Sequence, residues 1–294
     1  MLFGRGCRYN SPMRIWKHTV EAGEDGLRIE QLLRRRLGMA AGQIRSLTWR
    51  EGALRRDGEV ARAVDTLRFG ELLAVRLDDP ADRNTAGPMA APLAMVYEDE
   101  DVLLIDKAPD MTVHGTAGGP CTLANALAFH RPELPFHPVH RLDRGTSGLI
   151  LLAKHAHAQD VLRRSLHTED FCREYLALCE GNPGSGRIEL SLGWDGKRRI
   201  VDESGQSART DYETVALHEG CALVRLRLHT GRTHQIRAHM AAMGCPLLGD
   251  RLYGGQPVLQ RAALHSWRVA FIQPVTGERL SFTAELPADM AALL

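Results

Sequence analysis

Between His140 and Lys154 the chain reads HRLDRGTSGLILLAK. One acid, Asp143, stands between Arg141 and Arg144, with His140 just before them. A Gly-Thr-Ser-Gly turn holding Thr146 follows, then an apolar run. Nearby positive charge favours the ionised form of a carboxylate. With open access, such a group is a nucleophile or an electrostatic stabiliser. The same residues also fit a solvated charged turn, whose exposed ion pairs are weak.

A second segment, LHTGRTHQIRAHMAAMGCPLLGDRLYGG (228–255), passes from a strand into a helix through Gly231. Free backbone N–H groups at a helix start can receive an anion. Thr230, Arg232, His234, Gln235 and Arg237 gather there. A cation in the first turns opposes the helix dipole. An anion opposite Arg237 would explain it, and Asp143 and RNA phosphate are both candidates. An ordinary basic helix start is the alternative. Tyr175, in REYLAL, reads as a core or rim aromatic on a strand.

Other chemistries find little support. His229, His234 and His239 lack ligand spacing, and there is no HExxH or CxxC, so no metal is expected. No Walker A loop and no GxGxxG follows a strand, so no nucleotide cofactor is indicated. Ser147 lies in GTSGL, which is not a GxSxG elbow. Asp211 or Asp250 could pair with Asp143 as glycosidase carboxylates, which spacing alone does not test.

These residues need elements to hold them. Over 14–77, RIWKHTV alternates like a strand. GLRIEQLLRRRLG sets Leu27, Leu32, Leu33 and Leu37 on one side of a helix ending at Gly38. AGQIRSLTWREG is a second helix, and ALRRDGEVARAVDTLRFGELLAVRL makes short strands around an Asp-Gly turn. Residues 1–13 read as irregular. Residues 78–92, rich in Pro, Gly, Ala and Asp, read as a linker. From 93 to 294, LAMVYEDEDVLLIDKAP makes two strands, and TLANALAFH a helix with Thr122 as N-cap. The run at 147–153 is a strand, HAHAQDVLRRSLHTED a helix, and CREYLALC, ARTDYETVALHE and CALVRLRLHT are strands. THQIRAHMAAMG is a helix with Thr233 as N-cap and Gly244 at its end. Many strands broken by single helices predict an α+β domain on a mostly antiparallel sheet.

The 294 residues allow two domains. The formal net charge of +1 excludes nothing, but its distribution is uneven. Eight arginines and two acids lie between Arg28 and Arg56, among them Arg28, Arg35 and Arg45. Six cysteines without regular spacing point to reduced thiols in a cytoplasmic protein. No signal-peptide or membrane-length apolar run is found.

Together, HRLDRGTSGLILLAK, REYLALCEG and the 228–255 segment resemble the RluA-type family of RNA pseudouridine synthases, over about residues 93–290. The pair HRLDxxTSG and TGRTHQIRxH is highly specific. The 14–77 unit more weakly resembles an S4-like RNA-binding domain, without the usual Ser-Arg start of its second helix. The resemblance implies isomerisation of uridine to pseudouridine, on ribosomal or transfer RNA, without cofactor or metal, and a monomer is expected. Asp143 would be the catalytic aspartate, acting as nucleophile or as stabiliser of a cleavage intermediate. Tyr175 would cover the uracil and move a proton. Arg237 would pair with Asp143, and Arg141 would fill the gap left by a flipped base. Arg173 stands where the family usually has Lys. His140, Arg144, Thr146, Thr230, Arg232, His234 and Gln235, with Arg28, Arg35 and Arg45, would contact RNA. A fold that lost its chemistry and a carboxylate-pair hydrolase are the competing classes.

Overall fold

The computed structural model describes residues 13–115 and 118–294. The irregular N-terminus expected over 1–13 lies outside them, except for Met13.

The first unit is a four-stranded antiparallel sheet in the order β1-β4-β2-β3. Its elements are β1 (Ile15–Thr19), α1 (Ile29–Leu37), α2 (Ala41–Trp49), β2 (Leu54–Arg56), β3 (Glu59–Val60) and β4 (Leu72–Arg76). Helix α1 forms because Ile29, Leu32, Leu33 and Leu37 recur at helical spacing, and all four are buried. It stops at Gly38, whose φ of 64° lets its N–H reach the carbonyls of Leu33 and Arg34. The β2–β3 hairpin turns on Asp57 and Gly58, with φ of 49° and 87°. Two positive φ values are what a tight hairpin turn requires, which is why Asp-Gly marks it.

The second unit holds β5 (Ala94–Glu98), β6 (Val102–Lys107), α3 (Leu123–His130), β7 (His137–Pro138), β8 (Ser147–Ala153), α4 (Ala156–Ser165) and β9 (Cys172–Glu180). It continues with β10 (Ser185–Glu189), β11 (Leu192–Trp194), β12 (Arg199–Val201), β13 (Arg209–His218) and β14 (Cys221–Leu228). Helix α5 (Gln235–Ala242), β15 (Leu264–Ile272), β16 (Arg279–Thr283) and α6 (Ala288–Ala291) complete it. Ten strands form one mixed sheet: eight follow the path β10-β13-β14-β9-β15-β8-β6-β5, while β16 pairs with β15 and β7 with β8. Only the β8–β15 pairing is parallel, so the expected α+β class with a mostly antiparallel sheet holds. Alternation divides each central strand between two cores. Ile150 and Leu152 of β8 join the core that includes Leu123 and Ile236, while Leu149, Leu151 and Ala153 join the one that includes Leu162 and Phe271. All seven residues of β8 are therefore buried.

Residues 78–92 contain no regular element but are not loose. Asn84 and Met89 bond the backbone of α3, and Asp82 meets His137. The two units meet at Asp101, which is buried. Its carboxylate accepts from Arg14 Nε at 2.6 Å and from Gln273 at 2.7 Å, and contacts His155 at 2.9 Å. Arg164 adds a bond to the Gly38 carbonyl.

Candidate active site

Asp143 sits in the turn that enters β8, where its carbonyl accepts from the Thr146 N–H. The turn is locked at Gly148, with φ of 104°. A Cβ there would stand 2.3 Å from the Ser266 carbonyl oxygen of β15. From below, the buried Lys107 ammonium donates to the carbonyls of Ala108, Met111 and Arg144. Burial pulls its pKa down to about 8.

The Asp143 carboxylate is partly exposed and faces the start of α5. Arg237 Nη1 stands 3.6 Å from Oδ2, and His234 Nε2 3.8 Å. The cations beside it in sequence do not hold it. Neither Arg141 nor Arg144 comes within ion-pair distance of it, and Arg144 lies instead 3.9 Å from Asp110. The expected Arg237–Asp143 pairing is also looser than anticipated. Arg237 gives Nε and Nη2 to the buried Asp250 at 2.6 and 2.7 Å, and its guanidinium lies 5.1 Å from the centre of the Tyr253 ring. Burial lowers the Arg237 pKa, but the Asp250 carboxylate more than offsets this and the net shift is upward. Asp250 thus fixes the guanidinium and leaves one edge facing Asp143.

Tyr175 is buried on β9 and lines the same cleft as Asp143, Arg141, Thr146, Arg232, His234 and Arg237. Burial pushes its phenol pKa up, and the Arg173 guanidinium opposes that shift. The cleft has about 50 Å³ of free space, room for a few waters. A second cleft of about 240 Å³ meets it at Asp143, Thr146 and Arg237 and carries Arg144 and Arg251.

Several residues expected at an RNA surface have other work. His140 is buried, with its ring at an edge to Phe171 and Nε2 accepting the Leu151 N–H. Burial drives its pKa down to about 3, so it stays neutral. Gln235 is buried: its side-chain oxygen accepts from Thr230 and from the Arg232 N–H, and its amide donates to Arg209 and Thr210. Thr230 also accepts the Arg209 N–H. These two hold the loop before α5 in shape. The helix starts one residue later than expected: its cap is His234, at φ 54°, not Thr233. Arg28, Arg35 and Arg45 are exposed on the first unit. Arg28 stands 3.9 Å from Glu30, and no carboxylate among the described residues pairs with Arg35 or Arg45.

The glycosidase alternative loses its second acid. Asp250 is taken up by Arg237, and Asp211 by Arg187 and His229. Among the described residues no cluster of three His, Cys, Asp or Glu could hold a metal ion. Sequence reasoning did not assign Asp250 to Arg237 or notice Tyr253 and Lys107. Asp250 and Tyr253 stand in GDRLYGG, inside the quoted segment.

Comparison with known proteins is consistent across sequence and structure. A family model described as RNA pseudouridylate synthase matches residues 101–242. Ribosomal large subunit pseudouridine synthase D of Xanthomonas campestris pv. campestris is 38% identical over 262 residues, 81% of this chain and 79% of that protein. The protein of the same name from Vibrio vulnificus is 35% identical over 94% of this chain and 92% of its own. The solved structure of human RNA Pseudouridylate Synthase Domain Containing 1 superposes with a TM-score of 0.57, at 26% identity over 67% of this chain and 85% of that one.

Proposed function

The chain belongs to the RluA-type family of RNA pseudouridine synthases, and from that premise we propose that it isomerises uridines of large-subunit ribosomal RNA with Asp143 as its catalytic group. The target RNA is inferred from the names of its relatives. The reaction breaks the N-glycosidic bond, turns the uracil and joins C5 to the ribose carbon. C5 gives up its proton and N1, freed from the sugar, gains one, so the atoms balance and no co-substrate is consumed.

One observation carries the assignment. Asp143 presents a partly exposed carboxylate to the cleft, and the nearest guanidinium is held 3.6 Å away because Asp250 has bound its other edge. The acid keeps a cation beside it without being closed off by one. In our reading the uridine leaves its helix, as a base must before chemistry can reach it, and enters over Tyr175. Arg141, exposed at the mouth, takes the vacated place in the stack. Tyr175 covers the uracil face and moves a proton at C5 or C2′. Arg144 and Arg251 in the second cleft meet the sugar-phosphate chain. Arg35 and Arg45 of the S4-like unit bind phosphates farther along the RNA.

Asp143→Asn keeps the shape of the turn and removes the charge. Mapping of pseudouridines in ribosomal RNA from cells carrying this variant alone should show the target sites unmodified. Full modification would defeat the proposal.

A further inference from the structure

Arg173 is a charge with no evident counterpart. Its side chain is 4% exposed, and no carboxylate among the described residues pairs with it. Nη2 makes one hydrogen bond, 3.3 Å to the Leu166 carbonyl, and Nε is buried without a partner. A buried cation that lacks an anion is costly, and an apolar side chain would serve packing better.

Its position says what it faces. Residues i and i+2 of a strand share a face, so Arg173 and Tyr175 lie side by side on β9, about 7 Å apart along the strand. The neighbouring strands put Val269 opposite Arg173 and Leu226 opposite Tyr175, and neither brings an anion. Over the guanidinium lies Gly231, where a Cβ would come to 3.1 Å from Nη1. The loop that carries Arg232 into the cleft thus rests on Arg173. The other groups near the pair are the Ser266 hydroxyl and Asp143 beside Tyr175, and His140 and Cys172 beside Arg173. His140 is neutral, and burial holds the Cys172 thiol protonated.

We infer that Arg173 is the electrostatic partner of Tyr175, a positioning residue that stabilises negative charge on the phenol oxygen while the proton is on the nucleotide. The inference rests on the proton-transfer role proposed above for Tyr175. Whether the phenol gives its proton to carbon or the phenolate takes one from it, the O–H bond is absent on one side of the step. Both side chains leave the same face of β9 inside a buried site, and the strand spacing of about 7 Å is taken as the scale of the charge separation. At an effective dielectric of about 20 that attraction corresponds to roughly 50-fold in an equilibrium.

The test uses the full chain and its ribosomal RNA substrate. Single-turnover rate at saturating RNA, RNA affinity and melting temperature are measured for Arg173→Met, Arg173→Gln, Arg173→Lys and Tyr175→Phe. Arg173→Met should lose about 50-fold in rate, keep its affinity within about twofold and melt no lower, because a lone buried charge has gone. Arg173→Lys should restore most of the rate. Should the Met variant fail to fold, Arg173→Gln carries the same expectation. Rates of the neutral variants equal to wild type, with Tyr175→Phe inactive, overturn the inference alone. A loss confined to affinity also overturns it and makes Arg173 a phosphate contact. A fully active Tyr175→Phe removes the Tyr175 role itself, and is seen with Arg173 intact.

Discussion

The arrangement around Arg237 makes a demanding prediction for Asp250→Asn. The substitution conserves shape and one acceptor oxygen but removes the charge that holds the guanidinium at two points, 2.6 and 2.7 Å. Breaking a buried ion pair by deleting one partner costs about 3–5 kcal/mol. Here the cost is smaller, because Arg237 keeps the Tyr253 ring and has Asp143 at 3.6 Å. About 2 kcal/mol is expected, or a melting temperature lower by about 4–8 °C. The effect on chemistry should be larger than the effect on folding. Once released, Arg237 closes on Asp143 to the ~2.8 Å of a direct ion pair and covers the carboxylate proposed to meet the nucleotide. A displacement near 1 Å at a reacting group costs about 10²-fold in rate. Single-turnover pseudouridine formation at saturating RNA measures this, and RNA affinity should change little. A variant with the wild-type rate would refute the idea that Asp250 keeps Asp143 open. So would one whose loss lies wholly in affinity.

Other expectations follow from features nearby and far away. Gly148→Ala forces a Cβ into the Ser266 backbone at a φ that side chains rarely adopt, and should cost about 3 kcal/mol or more, read by denaturant unfolding. Glu24, buried against His18 and Arg36, has a pKa lowered from 4.5 to about 2 by hydrogen bonds that outweigh its burial. A depressed carboxylate pKa stabilises above the unfolded value, and the benefit is lost as pH falls from about 4.5 towards 2. Glu24→Gln should therefore be less stable than wild type at pH 6, by about 1–3 kcal/mol, with the gap closing by pH 2. A gap that stays constant would rule out this linkage. Arg35→Gln and Arg45→Gln should each flatten the salt dependence of RNA binding by about one unit of slope. Unchanged slopes would remove the first unit from the RNA interface.

Much of the scaffold was legible because local rules decide it. Gly38 ends α1, Asp57-Gly58 turns a hairpin, and the Thr122 side chain accepts the Asn125 N–H as the cap of α3. The continuous apolar run 147–153 emerged as a strand buried on both faces. What escaped depends on distant partners. Residue type marks Gln235 and Thr230 as polar contacts, but only the fold shows that they bond each other and Arg209. His140 looked like part of a charged surface because charged residues follow it, but it lies in the bend after β7 with its ring turned inward onto Phe171. The crowd of cations around Asp143 suggested that they hold it. The resemblance had already pointed to Arg237, about ninety residues away, and side-chain direction puts both it and His234 beside the acid, while Asp250 emerges only with the tertiary structure.

The double burial of β8 bears on how the molecule breathes. The strand hydrogen-bonds β6 along its length and β15 at its start, and both its faces lie in packed cores. Amides in such a strand exchange with solvent only through openings that approach global unfolding. The Asp143 turn is spliced onto that doubly buried segment. Arg237, by contrast, rides on an eight-residue helix at the edge of the cleft. Partial openings that loosen α5 leave the aspartate where it was. The Asp143 side of the cleft behaves as an anvil, and whatever yields belongs to the opposite wall.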